Sequence, residues 1–183
     1  MEVTGRNAAV SAQMAEILKR RAESLAHAES EEVVDESIAL LMFRLGDEWY
    51  AVHIDGVREI YNEYEVTRIP RVPDFSLGVI NVRGEIISVT DLGTLIRVPS
   101  RTVLDITEQL PSAIIVSREE YVTAIVVDEI GDIIEVPRGA VEPPLSTLDK
   151  SQAEFMAGSV YVGSRLIGIV NLEKVLEPIG ESH

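Results

Sequence analysis

The sequence predicts a mainly β protein: two small barrels or sandwiches packed against each other behind a helical N-terminal extension. Three observations support that fold class. Strand-like runs of four to eight residues recur at close spacing from Ile38 onward, the pattern of small barrels and sandwiches. A hairpin pattern occurs twice, at Gly78–Leu92 and Gly158–Leu172, with an offset of 80 residues at both ends. An upstream block repeats as well: Val52–Ile60 resembles Ile125–Ile133, with Asp55 and Asp128 73 residues apart. Two matches in the same order favour a duplicated β module over coincidence. Duplication alone leaves open whether strands swap between the copies.

Residues 1–37 differ in kind from the rest. From about Ala8 to Ala28 the chain is rich in strong helix formers. Met14, Ile17, Leu18 and Leu25 fall at i, i+3, i+4 and i+11 along one face. That stripe predicts a helix docked on an apolar surface, either its own body or a neighbouring subunit, which would be self-association. Glu29, Glu31, Glu32, Asp35 and Glu36 then read as a solvated acidic linker.

The β domain spans residues 38–179, with a first module of about 38–96 and a second of about 113–179. Ile38–Leu45 is an apolar strand interrupted only by Arg44, and Gly46-Asp47-Glu48 turns it into the alternating run Trp49–Ile54. Ile54–Ile60 reads as either a short helical turn or a bent strand, with Val57 and Ile60 inward. A proline-stiffened loop, Ile69-Pro70-Arg71-Val72-Pro73, leads into the first hairpin. There Val79–Val82 and Ile86–Val89 flank Arg83-Gly84-Glu85, where Gly84 can take the positive φ a tight turn needs. Asp91 stands as an N-cap before Leu92, Leu95 and Ile96, and Asn171 repeats it before Leu172, Val175 and Leu176. Residues 97–112, with Pro99 and Pro111, connect the modules. Strands follow at Ala113–Val116, Val122–Val127 and Ile133–Val136; the long loop Pro137–Glu154 then reaches the second hairpin.

Composition narrows the function. The chain has 183 residues, 46% of them hydrophobic, enough for one sizeable core or two small linked ones. No apolar run approaches the ~18 residues of a membrane helix, and no basic-then-apolar leader is expected at the polar N-terminus. The absence of cysteine excludes disulfides and thiol chemistry and fits a cytoplasmic protein. A net charge of −15 argues against nucleic acid and anionic membranes as partners, and against membrane insertion. The partner expected is another protein.

Catalysis has little to stand on. His27, His53 and His183 have no metal-site spacing, and no serine elbow, phosphate loop or dinucleotide fingerprint occurs. The chain reads as a non-enzyme without metal or cofactor. Attention falls instead on Glu59 and Arg83. Arg83 tops a hairpin between apolar strands, and Glu59 lies between Val57 and Ile60. One reading is a salt bridge that holds the turn. The other is a charged rim around an apolar groove, a common design for protein docking.

At these residues the chain resembles the CheW-like adaptors of bacterial chemosensory systems. Phe43-Arg44-Leu45-Gly46-Asp47-Glu48-Trp49-Tyr50 is similar to the family's opening strand pair. Val57-Arg58-Glu59-Ile60, Thr67-Arg68-Ile69-Pro70, Gly78-Val79-Ile80-Asn81-Val82-Arg83-Gly84 and Asp91-Leu92 match later motifs in order, and the likeness continues through Val126-Val127-Asp128 and Asn171-Leu172-Glu173-Lys174. The resemblance implies two SH3-like five-stranded barrels with short helices around a shared core, and a scaffold without catalysis. It implies chemoreceptor cytoplasmic tips and the regulatory domain of the histidine kinase CheA as partners, with recruitment to membrane receptor arrays. It places partner contacts at Val57, Glu59, Gly78 and Arg83, and a direct Arg83–Glu59 ion pair, with Glu85 and Asp55 as rival acids. Val82 stands where the family usually has Leu and Ser88 where it often has Pro; the extension lies outside the motif set. Other readings are a CheW-like module of a CheV-type or kinase regulatory protein, a specialised adaptor for a non-chemotaxis receptor pathway, or a small-molecule role on a β-barrel.

Overall fold

A computed structural model describes residues 3–27, 36–99 and 111–180. Most of the acidic linker and of the connection between modules lies outside these residues. Helix α1 (Val3–His27) precedes β1 (Ser37–Leu45), β2 (Glu48–His53), β3 (Val57–Tyr61), β4 (Ser76–Val82), β5 (Glu85–Asp91) and the one-turn helix α2 (Leu92–Leu95). Then come β6 (Ser112–Arg118), β7 (Tyr121–Val127), β8 (Glu129–Pro137), the short α3 (Lys150–Ala153), β9 (Met156–Val162), β10 (Arg165–Val170) and α4 (Leu172–Gly180). A 3₁₀ turn, Ile54–Gly56, joins β2 to β3, so the stretch from Ile54 to Ile60 is a helical turn and then a strand.

The strands form two five-stranded sheets, ordered β8-β1-β2-β10-β9 and β3-β6-β7-β5-β4. The order is the same in both once β1–β5 is matched to β6–β10, except that the first two strands of each copy sit in the other copy's sheet. The modules expected at about 38–96 and 113–179 are therefore units of sequence, not separate barrels. Each copy lends a hairpin to the other, and the seam is a parallel pairing in each sheet: β2 with β10 and β5 with β7.

The physical reason lies in the exchanged strands. β1 buries residues on both faces: Ile38, Leu40 and Met42 enter the core of one sheet, while Ala39, Leu41, Phe43 and Leu45 enter a central cluster. β6 does the same, with Ala113 and Ile115 in the second sheet's core and Ile114 and Val116 in the central cluster. A strand covered on both faces reads as a continuous apolar run, which is why Ile38–Leu45 lacks alternation. The buried apolar side chains of β4 and β5, Ile80, Val82, Ile87 and Val89, all enter the core of one sheet. Three cores result, one inside each sheet and a third shared between them.

The hairpins repeat in detail. The Asp91 amide donates to the Phe75 carbonyl at 2.7 Å and the Asn171 amide to Phe155 at 2.8 Å, each pair 80 residues from its counterpart. Both caps are made: Asp91 Oδ1 accepts from the Thr94 amide at 3.2 Å, and Asn171 Oδ1 from the Glu173 amide at 3.1 Å. Thr67 pairs with Val79 through two backbone bonds, and Glu142 with Ser159 likewise. A loop thus crosses the outer strand of each hairpin at the same place.

The extension is helical, as its composition predicts, and lies on its own body. Val10 is buried in the central cluster, and Met14 and Ile17 pack partly buried against it. Leu18 corrects the predicted stripe, since 47% of it is exposed; it is rotated off the face that Val10, Met14 and Ile17 share at i, i+4 and i+7. The side chain of Leu25 lies outside the described residues. Among the described residues no helix is long and apolar enough to cross a membrane.

Candidate functional site

The site begins with a bulge. In β3, Val57 pairs with Val116 and Glu59 with Ile115, which leaves Arg58 as the extra residue. A bulge breaks alternation and re-aims side chains. Val57 and Ile60 therefore both pack against the central cluster, and Arg58 and Glu59 are both free to face outward. β3 is one edge of its sheet and the β4–β5 hairpin forms the other. Arg83 Nη1 meets Glu59 Oε1 at 2.7 Å, and Arg58 Nη2 meets Glu85 Oε2 at 3.3 Å. Two ion pairs between opposite ends of the strand order show that the sheet has curled into a barrel.

The turn that presents Arg83 is fixed by its backbone. Arg83 and Gly84 have φ of 52° and 88°, both left-handed, the type I′ geometry that suits a two-residue hairpin. Asn81 Oδ1 accepts the Gly84 amide at 2.8 Å and locks the turn. Arg83 has 74% of its side chain exposed and Glu59 30%. Val82 is buried beneath them, and Ile86, on the outer face of the hairpin, is 61% exposed. The result is a rigid, charged rim next to an uncovered isoleucine.

Of the four predicted site residues, Glu59 and Arg83 are joined directly, as expected. The rival acids are engaged elsewhere, Glu85 with Arg58 and Asp55 with Arg21. Val57 lies on the same strand but is half-buried on the core side. Gly78 is not in the rim. It sits buried at the far end of β4 with φ of 132°, and a Cβ there would lie 2.1 Å from the Thr67 carbonyl oxygen. Its role in the fold is to let the crossing loop approach. The Arg58–Glu85 pair was missed because alternation would have turned Arg58 away from Glu59; only the bulge puts them side by side.

The equivalent region of the second copy is built differently. Gly131 and Asp132 replace Arg58 and Glu59, and a Cβ on Gly131 would meet the Trp49 ring at 2.6 Å. Arg165 lies over that ring, 5.2 Å from its centroid, within cation–π range. Tyr161, at the position of Asn81, is 62% exposed. No cluster of three or more potential metal ligands occurs among the described residues. His53, the one histidine in the β body, is half-buried; burial lowers its pKa, the neighbouring Asp55 carboxylate opposes that, and Arg118, Arg21 and Arg138 reinforce it.

Two exchanged five-stranded barrels with a rigid charged rim define a docking module of the scaffold class. The particular family follows from comparison with known proteins. The CheW-like domain model matches residues 39–179, and the chain belongs to that family. It is 30% identical to chemotaxis protein CheW of Treponema pallidum over 143 residues, covering 78% of this chain and 84% of the relative. It is 32% identical to chemotaxis protein CheW of Klebsiella aerogenes over 136 residues, 74% of this chain and 80% of that one. Among solved structures it resembles the scaffolding protein TtCheW of Thermoanaerobacter tengcongensis, with a TM-score of 0.65 and 28% identity over 74% of this chain and 90% of that one. Family membership makes the chain a coupling adaptor of chemosensory signalling.

Proposed function

We propose that the chain links the cytoplasmic tips of chemoreceptors to the regulatory domain of the histidine kinase CheA, working in the cytoplasm at membrane receptor arrays and catalysing nothing itself. The unit that does so is residues 38–179, which contain both copies and every matched motif. The observation that carries the reading is the Arg83–Glu59 pair: an arginine 74% exposed on a locked hairpin, held by a carboxylate on a neighbouring edge. Such an open pair contributes little to stability. It does present fixed charge beside apolar surface, and that governs partner choice and docking register. Val57 contributes by shaping the strand under the rim. Gly78 contributes through the loop it admits.

The test is isothermal titration of the purified chain with a receptor cytoplasmic fragment and with CheA, beside a thermal-shift screen of small ligands. The expected result is saturable binding to both proteins, in one ternary complex, and no ligand-induced shift. Binding to neither protein, together with a ligand that stabilises the fold, would move the assignment to a small-molecule role.

A further inference from the structure

We propose that α1 is a built-in competitor: it closes, in cis, an apolar seam of the two-barrel body and is exchanged there for an amphipathic helix of a partner. The occupant is of stated chemistry, a single helix with apolar residues at i, i+4 and i+7 and a cation at i+11. That pattern is read from α1 itself, in Val10, Met14, Ile17 and Arg21. Val10 is buried and Met14 and Ile17 pack against the central cluster that both sheets share. Arg21 completes the face, with Nη1 3.3 Å from Asp55 Oδ1 and Nη2 donating to the Ser37 carbonyl at 3.0 Å.

Two features make this an exchangeable contact rather than a fixed part of the fold, and a third keeps the helix in place until a partner displaces it. First, α1 lies wholly outside the residues that the family model matches, 39–179, so the two-barrel body is complete without it. Second, among the described side chains of the helix, residues 10–22, those that attach it are three apolar ones and one arginine, and helical stability in proteins comes mostly from such packing. Third, charge favours docking on the body over release. α1 carries four basic and two acidic side chains on a chain of net charge −15.

The location ties the helix to the site. Asp55 belongs to the 3₁₀ turn that runs directly into Val57 and Glu59. A helix anchored there lies against the start of the strand that carries the candidate rim, and a partner helix entering along the seam meets α1 first. The competition with receptor or kinase rests on the proposed adaptor function; the exchange of α1 does not.

The experiment uses the full-length chain and a fluorescent peptide of residues 3–27. Met14→Glu with Ile17→Glu undocks the native helix, and Arg21→Ala loosens it with less risk to folding. The peptide is expected to bind the double variant at least tenfold more tightly than the parent chain, with Arg21→Ala in between. Equal affinity for all three chains, or no binding to any, overturns the exchange. Hydrogen exchange on the unmodified chain supplies an independent reading: α1 amides should exchange at least 100-fold faster than those of β1, and protection equal to β1 overturns it as well. A receptor cytoplasmic fragment is then titrated against the same chains. A tenfold gain for the undocked variants supports competition; binding that is strong but equal in all overturns it. If the receptor binds none of them while the peptide discriminates, the adaptor assignment fails and the exchange stands.

Discussion

The two hairpins of this molecule share one frame of strand pairing, crossing loop and cap, and differ at the surface. β4–β5 and β9–β10 share the loop that crosses the outer strand, the hydrogen bond that the cap residue's amide donates to a phenylalanine carbonyl, and the cap itself. Even the bulge recurs, since β8 shifts register between Ile130 and Ile133 as β3 does between Val57 and Glu59. The outward side chains diverge. The first hairpin carries Arg83 and Glu85 onto Glu59 and Arg58; the second carries Arg165 onto Trp49, over the space that Gly131 leaves. What is repeated is what the backbone requires, and what differs is what another molecule would meet. That contrast, beside the charges, is what supports the proposed recognition role of the first rim.

The largest expected effect tests the repeated part. Gly78 and Gly158 both lie under a crossing loop, but only Gly78 has a left-handed φ, 132°, and its Cβ would come closer to backbone, 2.1 Å against 2.6 Å. Gly78→Ala should cost about 3 kcal/mol or more, from strain and a backbone clash together. Gly158→Ala should cost ~1–3 kcal/mol, as an overpacked contact. Denaturant titration orders them; equal losses would mean that the two crossings are not distinct.

A smaller effect comes from the histidine of β2. His53 corresponds to the buried Val126 in the second copy, and its pKa is lowered, chiefly by burial. The unfolded chain therefore takes up a proton at higher pH than the folded one. Stability is fully present above the unfolded value of about 6.5 and is lost as pH falls through the lowered folded value. His53→Val makes the copies alike and should remove that part of the acid sensitivity. Melting curves from pH 7.5 to 5 check it, and an unchanged slope in the variant would assign the sensitivity to other groups.

Much of this contrast is legible in the sequence. Backbone requirements leave strong local marks: a glycine at a crossing, Asp91 or Asn171 before an apolar run, Arg83-Gly84 between β-branched stretches. The Arg83–Glu59 pair followed from the family resemblance. Strand exchange left no such mark. Ile38–Leu45 and Ala113–Val116 are apolar on both faces whichever sheet they join, so only the packed structure decides. The stripe on α1 was misread by one residue because Val10 and Leu18 are equally apolar, and the surface opposite selects between them. Arg58 was lost to a bulge, which period-two reasoning does not see.

The central claim is that the first rim recognises a partner rather than holding the barrel. The direct measurement is a charge swap, Glu59→Arg and Arg83→Glu, singly and together, with stability from denaturant titration and affinity for the receptor fragment and CheA from calorimetry. With Arg83 74% exposed and Glu59 30%, each single change should shift stability by no more than ~1 kcal/mol. Affinity for at least one partner should fall tenfold or more in each single variant, and the double variant should fold normally and stay weak, because the charges it presents are transposed. Unfolding of either single variant, with full binding by a folded double variant, would contradict the account and leave the pair only the work of holding the turn.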